Sequence, residues 1–182
     1  MRAIGGRWVL PVTIAVAVAA TGAVGYLDWR GHRPVEPPGR AAYLCGLRTG
    51  DDTPLGRLLP PGGQDVEEKE EGRSGDDPVS CSIRVDGRTA LTVSSALQTG
   101  AVALSPEAAK HPDARRFDAG GAAASWPGGA TASDYCQGGP AGHAQLVVIA
   151  GEAARPGTAD RQADLEQIAR DGLKRSKKDV CQ

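Results

Sequence analysis

At the start of the chain the hydrophobic pattern is continuous rather than periodic: residues 8–27, WVLPVTIAVAVAATGAVGYL, run for twenty positions without a charge. An α-helix of that length spans roughly 30 Å, the hydrocarbon thickness of a bilayer. Arg2 and Arg7 precede the run, and Trp8, Tyr26 and Trp29 sit where aromatic side chains favour the headgroup region. A cleaved signal peptide would share the positive start and the small residues Ala15, Ala17, Ala19 and Ala20. Signal cores, however, run about 7–15 residues, and this one continues past the alanines to Leu27. The pattern therefore predicts a short cytoplasmic tail at 1–7 and a single transmembrane anchor at 8–27. A Pro-rich spacer at 28–41 follows, in which Pro34, Pro37 and Pro38 favour extended backbone, and then one domain at 42–182.

Within that domain the pattern changes period several times. Thr53-Pro54 reads as a capping residue followed by proline in the first turn, with Leu55, Leu58 and Leu59 at helical spacing until Pro60-Pro61-Gly62-Gly63 ends the run. Residues 64–78 hold seven acids against Lys69 and Arg73, a local charge of −5, and read as a solvated loop. Asp76 and Asp77 are adjacent there, but the alternating acids and central glycine of a calcium loop are missing.

Strict alternation appears next. Val79, Cys81, Ile83 and Val85 point one way along 79–85, and Leu91 and Val93 do so along 89–94. A two-residue turn at Asp86-Gly87 would set Ile83 opposite Ala90 and send Leu91 to the other surface. A three-residue loop (Val85-Asp86-Gly87) gathers Cys81, Ile83, Leu91 and Val93 on one face, with Gly87 as the left-handed residue of a bulge, and is the predicted turn. Ser105-Pro106-Glu107 opens a further short helix before Pro112. Residues 122–126 and 132–136 look strand-like, and 143–151 is apolar on both faces, as a central strand would be. From 158 to 178 the chain is a sustained helix with Leu165, Ile168, Ala169 and Leu173 as its stripe. Lys174, Arg175, Lys177 and Lys178 crowd its end. The helix dipole accounts for them, although such an end could also touch anionic lipid. These elements predict an α+β domain: a small antiparallel sheet covered by a C-terminal helix.

Composition sharpens the picture in three ways. Without Arg2, Arg7 and Asp28 the formal charge of −1 becomes −2, which argues against a nucleic-acid partner. Beyond Trp29 the aromatic residues are Tyr43, Phe117, Trp126 and Tyr135, so burial must come from aliphatic residues and many alanines. Cys45, Cys81, Cys136 and Cys181 form an even set outside the apolar run, and disulfides persist in oxidising compartments. The expected location is thus the cell membrane, single-pass, with the domain extracytoplasmic. Four cysteines allow three connectivities. Cys45 precedes a short helix that must pack on the sheet bearing Cys81, Cys181 follows the long helix that must cover the same sheet, and Cys136 ends a strand candidate just before the central one, so placement favours Cys45–Cys81 and Cys136–Cys181.

Catalytic signals are few. No two cysteines are closer than 36 positions, which removes a C-x-x-C redox or zinc pair. The histidines are His32, His111 and His143, and no H-E-x-x-H, P-loop or G-x-G-x-x-G occurs. Gly72-Arg73-Ser74-Gly75 falls one glycine short of a nucleophile elbow, because Asp76 takes the second glycine's place. Ser133-Asp134-Tyr135 has no S-x-x-K companion. His143 with a distant Ser and Asp is the remaining route to a triad. No catalytic residue, metal or cofactor is assigned on these grounds.

Cys45-Gly46-Leu47, then Leu58-Leu59-Pro60, then a strand cysteine in Cys81-Ser82-Ile83 and a last cysteine behind a terminal helix resemble small exported or membrane-anchored actinobacterial proteins of unknown function, many of them lipoproteins. The resemblance spans most of 41–182. It implies an α+β fold and an extracytoplasmic place, and lends no catalytic residue. This chain departs from the lipoproteins in lacking a lipid-bearing cysteine after the apolar run. The expected function is a membrane-tethered, non-enzymatic binding or interaction module, its partner a protein or the cell wall. The alternative is a cell-envelope hydrolase whose site is assembled from scattered residues.

Overall fold

The computed structural model describes residues 41–70, 78–137, 142–156 and 160–181. The anchor run 8–27, the spacer up to residue 40, Gly72-Arg73-Ser74-Gly75 and the pair Asp76-Asp77 lie outside the described residues. Among the described residues no helix is long and apolar enough to cross a membrane, and no cluster of three or more His, Cys, Asp or Glu could hold a metal ion.

The domain is α+β, with every strand antiparallel to its neighbour. A two-stranded hairpin, β1 (Tyr43–Leu44) and β2 (Leu47–Arg48), precedes a short helix α1 (Pro54–Leu58). Then come β3 (Gln64–Glu70), β4 (Val79–Val85), β5 (Arg88–Gln98), a one-turn helix α2 (Pro106–Ala109), β6 (Arg115–Arg116), β7 (Ala122–Trp126), β8 (Gly129–Tyr135), β9 (His143–Ala150) and the long helix α3 (Arg161–Val180). The main sheet has seven strands in the order β3-β4-β5-β9-β8-β7-β6. Strand β9 is its middle member, which is why both of its surfaces are apolar.

Local chemistry explains the helix starts. Thr53 Oγ1 accepts from Gly56 N–H at 3.1 Å and Ser105 Oγ accepts from Glu107 N–H at 3.2 Å, each ahead of a proline whose missing N–H costs nothing in the first turn. The stripe of α3 expected from its period is buried against the sheet: Leu165, Ile168, Ala169 and Leu173 meet Ala130, Ala132, Ala144, Leu146, Val148, Ile83 and Leu91. The opposite sheet surface carries a second, smaller cluster in which Trp126 packs with Ala108 and Ala124 and stacks on His111, ring centroids 4.5 Å apart.

Two expectations are corrected. The turn after β4 has two residues, not three: Asp86 and Gly87 have φ of 51° and 76°, and Val85 pairs with Arg88. The register then shifts between Arg84 and Ile83, so that Ile83 lies opposite Leu91 and Ala90 is the extra residue of a bulge in β5. Burial still gathers Cys81, Ile83, Leu91 and Val93 on one face, as hydrophobic alternation demands. The bulge achieves this one step further from the turn. Second, residues 64–70 are not a loop but the edge strand β3, paired along its length with β4. Val66 faces Ile83 on the core side, and the surrounding charges suit an edge, where they discourage pairing with another chain. Glu67 joins Lys69 at 3.0 Å and Arg84 at 3.6 Å. The Lys69 hydrogen bond above all holds its carboxyl below the usual range.

Candidate functional site

The four sequence-singled cysteines form two bridges, Cys45–Cys81 and Cys136–Cys181, with no free thiol. Both attach near the C-terminal part of α3, one through the hairpin packed on it and one directly. Cys136–Cys181 joins the end of β8 to the residue after α3, beside the Lys177 Nζ to Asp134 Oδ2 ion pair at 2.5 Å. Cys45–Cys81 joins the β1–β2 turn to the middle of β4. In that turn Cys45 and Gly46 both have positive φ, 49° and 67°, the two-residue geometry that follows strand twist. A side chain on Gly46 would overlap the Arg175 guanidinium, so the turn and α3 are packed face to face here.

This packing creates a cleft along the C-terminal half of α3. On one side of Arg175 lies a groove of about 430 Å³ between the hairpin, α1 and α3, lined among others by Leu47, Pro54, Leu55 and Ile168. Its cations are Arg48, Lys174, Arg175 and Lys178, against Asp171. On the other side lies a pocket of about 290 Å³ between α3 and strands β3–β5, whose apolar lining is Leu47, Val79, Val93, Leu146 and the Cys45–Cys81 bridge. The two cavities share Leu47 and Arg175. Helix α3 leaves this part of the sheet bare, and Val79 is 43% exposed.

One polar group in the pocket stands out. Ser176, only 7% exposed, lines it and has a buried Oγ without a hydrogen-bond partner. A buried hydroxyl left unpaired costs stability that a bound group can restore. Lys177, between Ser176 and Lys178, turns the other way to Asp134, while Lys174 and Arg175 line the cleft. Further toward the start of α3, buried Asp164 accepts from both Nε and Nη2 of Arg57, which fixes α1 against α3 and so the groove's apolar wall. That hydrogen bond is the main cause raising the Arg57 guanidinium above its ordinary value.

His143 does not belong to this cleft. It opens β9 opposite Tyr135 and Gln98, on the sheet surface away from α3, buried with Nδ1 unpartnered. Among the described residues its ring makes no hydrogen bond to a hydroxyl or carboxylate, and Ser133 instead accepts from Gln145 Nε2 at 3.3 Å. Reading the sequence alone missed Ser176, Arg48 and the pocket under α3, because their meeting depends on the hairpin folding onto the helix. Lys174, Arg175, Lys177 and Lys178 were visible as a basic helix end; that they divide between the cleft and the Lys177–Asp134 ion pair was not. Comparison with protein-family models, with characterised proteins and with solved structures found no match to this chain.

Proposed function

We propose that the chain is a membrane-tethered extracytoplasmic binding module, non-enzymatic, held by residues 8–27, with the cleft beside α3 as its binding site. The observation that carries this reading is the pair of closed disulfides, since such bridges persist in oxidising compartments outside the cytoplasm. The cleft supports binding over catalysis: it offers apolar walls, cations and an unpaired hydroxyl, a set that holds a ligand by burial and charge.

The test combines topology and site. Protease added to intact spheroplasts should digest residues 41–182, and full protection would refute the extracytoplasmic placement. A photocrosslinking residue at Val79 should give an adduct in membranes that the same residue at Arg88, at the far end of the β4–β5 hairpin, does not. Equal labelling at both positions, or none at Val79, would remove the cleft as the site.

A further inference from the structure

The cleft's two halves differ in chemistry, and that difference specifies a ligand. The pocket under α3 is walled by Val79, Val93, Leu146 and a disulfide, with Ser176 Oγ unpartnered in its lining. Beyond Arg175 the groove gathers three more cations, Arg48, Lys174 and Lys178, against the single acid Asp171. Neither Lys174 nor Arg175 makes an ion pair among the described residues. Glu68 and Asp179 also line the pocket, so an anion is repelled from that side and drawn toward the groove.

We propose, resting on the binding-module reading above, that the cleft takes an anionic amphiphile with one alkyl chain. The chain lies in the pocket against Val79, Val93 and Leu146. The acid group sits at the Arg175 boundary, accepting from its guanidinium and from Ser176 Oγ, with Lys174, Lys178 and Arg48 behind it. Charge-assisted hydrogen bonds are the stronger kind, and the apolar lining beside them holds the chain by burial. A pocket of about 290 Å³ is at the lower end of ligand-site sizes, which favours a slim chain over a fused ring system. Gly172 contributes from behind: a Cβ there would stand 2.7 Å from Leu146 Cδ2 and push that side chain toward the space the ligand needs.

A fatty acid and an acidic membrane lipid share this chemistry, and the experiment separates them. The full chain is placed in nanodiscs of phosphatidylcholine and titrated with octanoate, following the methyl NMR shifts of Val93 and Leu146. Saturable shifts are expected with octanoate, and none that saturate with octanol or inorganic phosphate, which each carry half of the ligand's chemistry. Arg175→Gln should weaken octanoate roughly tenfold or more, the scale of a charge-assisted hydrogen bond. Ser176→Ala should weaken it by a smaller factor while raising the melting temperature of the free protein, because the unpaired hydroxyl is gone. Should Arg175→Gln unfold the domain, Lys174→Gln, on the exposed rim, takes its place with a weaker loss expected. If nanodiscs containing phosphatidylglycerol give the same shifts without octanoate, the source is membrane lipid and the ligand class stands. Octanol matching octanoate, or binding unmoved by the Arg175 and Lys174 changes, would overturn the proposal. So would the absence of any shift from both octanoate and phosphatidylglycerol; a surviving crosslink at Val79 would then show that the binding module stands and its ligand class alone fails.

Discussion

Replacing Cys45 and Cys81 together by serine should destabilise the domain in two distinguishable ways. The bridge spans 36 positions, and in the chain-entropy model a cross-link of that span is worth about 4 kcal/mol through the unfolded state. Cys136–Cys181 spans 45 positions and is worth nearly the same, because the dependence on loop length is logarithmic. Each serine pair should therefore lower the melting temperature by roughly 10–20 °C at most. The local effects differ. Hairpin β1–β2 has two paired residues per strand, supported by buried Leu44 and Leu47, the Thr49 N–H bond to Ala42 O at 3.2 Å, Thr49 Oγ1 donating to Ala41 O, Arg48 Nε donating to Tyr43 OH and the Arg175 contact at Gly46. The end of α3 keeps the Lys177–Asp134 pair and buried Leu173 when its bridge is cut. Native-state hydrogen exchange should then show residues 44–49 of Cys45→Ser/Cys81→Ser opening well below the global unfolding free energy, while Val148 exchanges only globally. In Cys136→Ser/Cys181→Ser the last turn of α3 should fray and the hairpin stay protected. A Cys45→Ser/Cys81→Ser protein whose hairpin amides are as protected as Val148 would refute this division of labour.

Three further outcomes are expected. Gly56→Ala should destabilise by about 1–3 kcal/mol in urea unfolding, since the new methyl meets the Gly50 carbonyl, a backbone group that cannot swing aside. An unchanged midpoint would mean that the clash costs no more than the helix propensity gained, about 1 kcal/mol, and would refute the expected loss. Leu165→Ala, at a fully buried position where α3 meets the sheet, should cost roughly 2–5 kcal/mol by the same measurement, and a cost under 1 kcal/mol would contradict the packing. The Glu107 carboxyl should titrate below its ordinary value of 4.5, chiefly because Lys110 Nζ donates to it at 2.6 Å, with desolvation opposing. Being lowered, it adds stability above its unfolded value and loses it as pH falls through the folded one. That contribution is small for a solvent-screened pair. A ¹³C-detected titration in which Lys110→Gln leaves the Glu107 midpoint unmoved would exclude the hydrogen bond as the cause.

Where sequence carried a local physical signal, the fold was legible. Thr53-Pro54 and Ser105-Pro106 marked helix starts because capping is a contact within a few residues. The stripe of α3 and the two-faced β9 were legible because burial imposes their periods. Strand β3 was hidden for the opposite reason: its partners lie on β4, and seven acids in fifteen positions outweigh the single inward Val66 until that pairing exists. The β5 bulge was hidden because two solutions, a longer turn or an extra residue further along, give the same faces. For the site, the basic end of α3 was visible, but Arg175 and Ser176 gain their roles only from the Cys45-Gly46 turn pressed against the helix.

The strand order has a consequence for how the molecule is made. Strands β3–β5 form one consecutive meander and β6–β9 another, and the two are zipped to each other along a single seam, β5 on β9. During synthesis β5 emerges some fifty residues before its partner, as Leu91 pairs with Ala150 and Gln98 with His143. Until then its unpaired edge is open to any strand that fits, including β9 of another copy. Exchange of the β9–α3 unit between two nascent chains would carry Cys181 along with it. The second disulfide would then form between molecules, converting a transient pairing error into a covalent dimer.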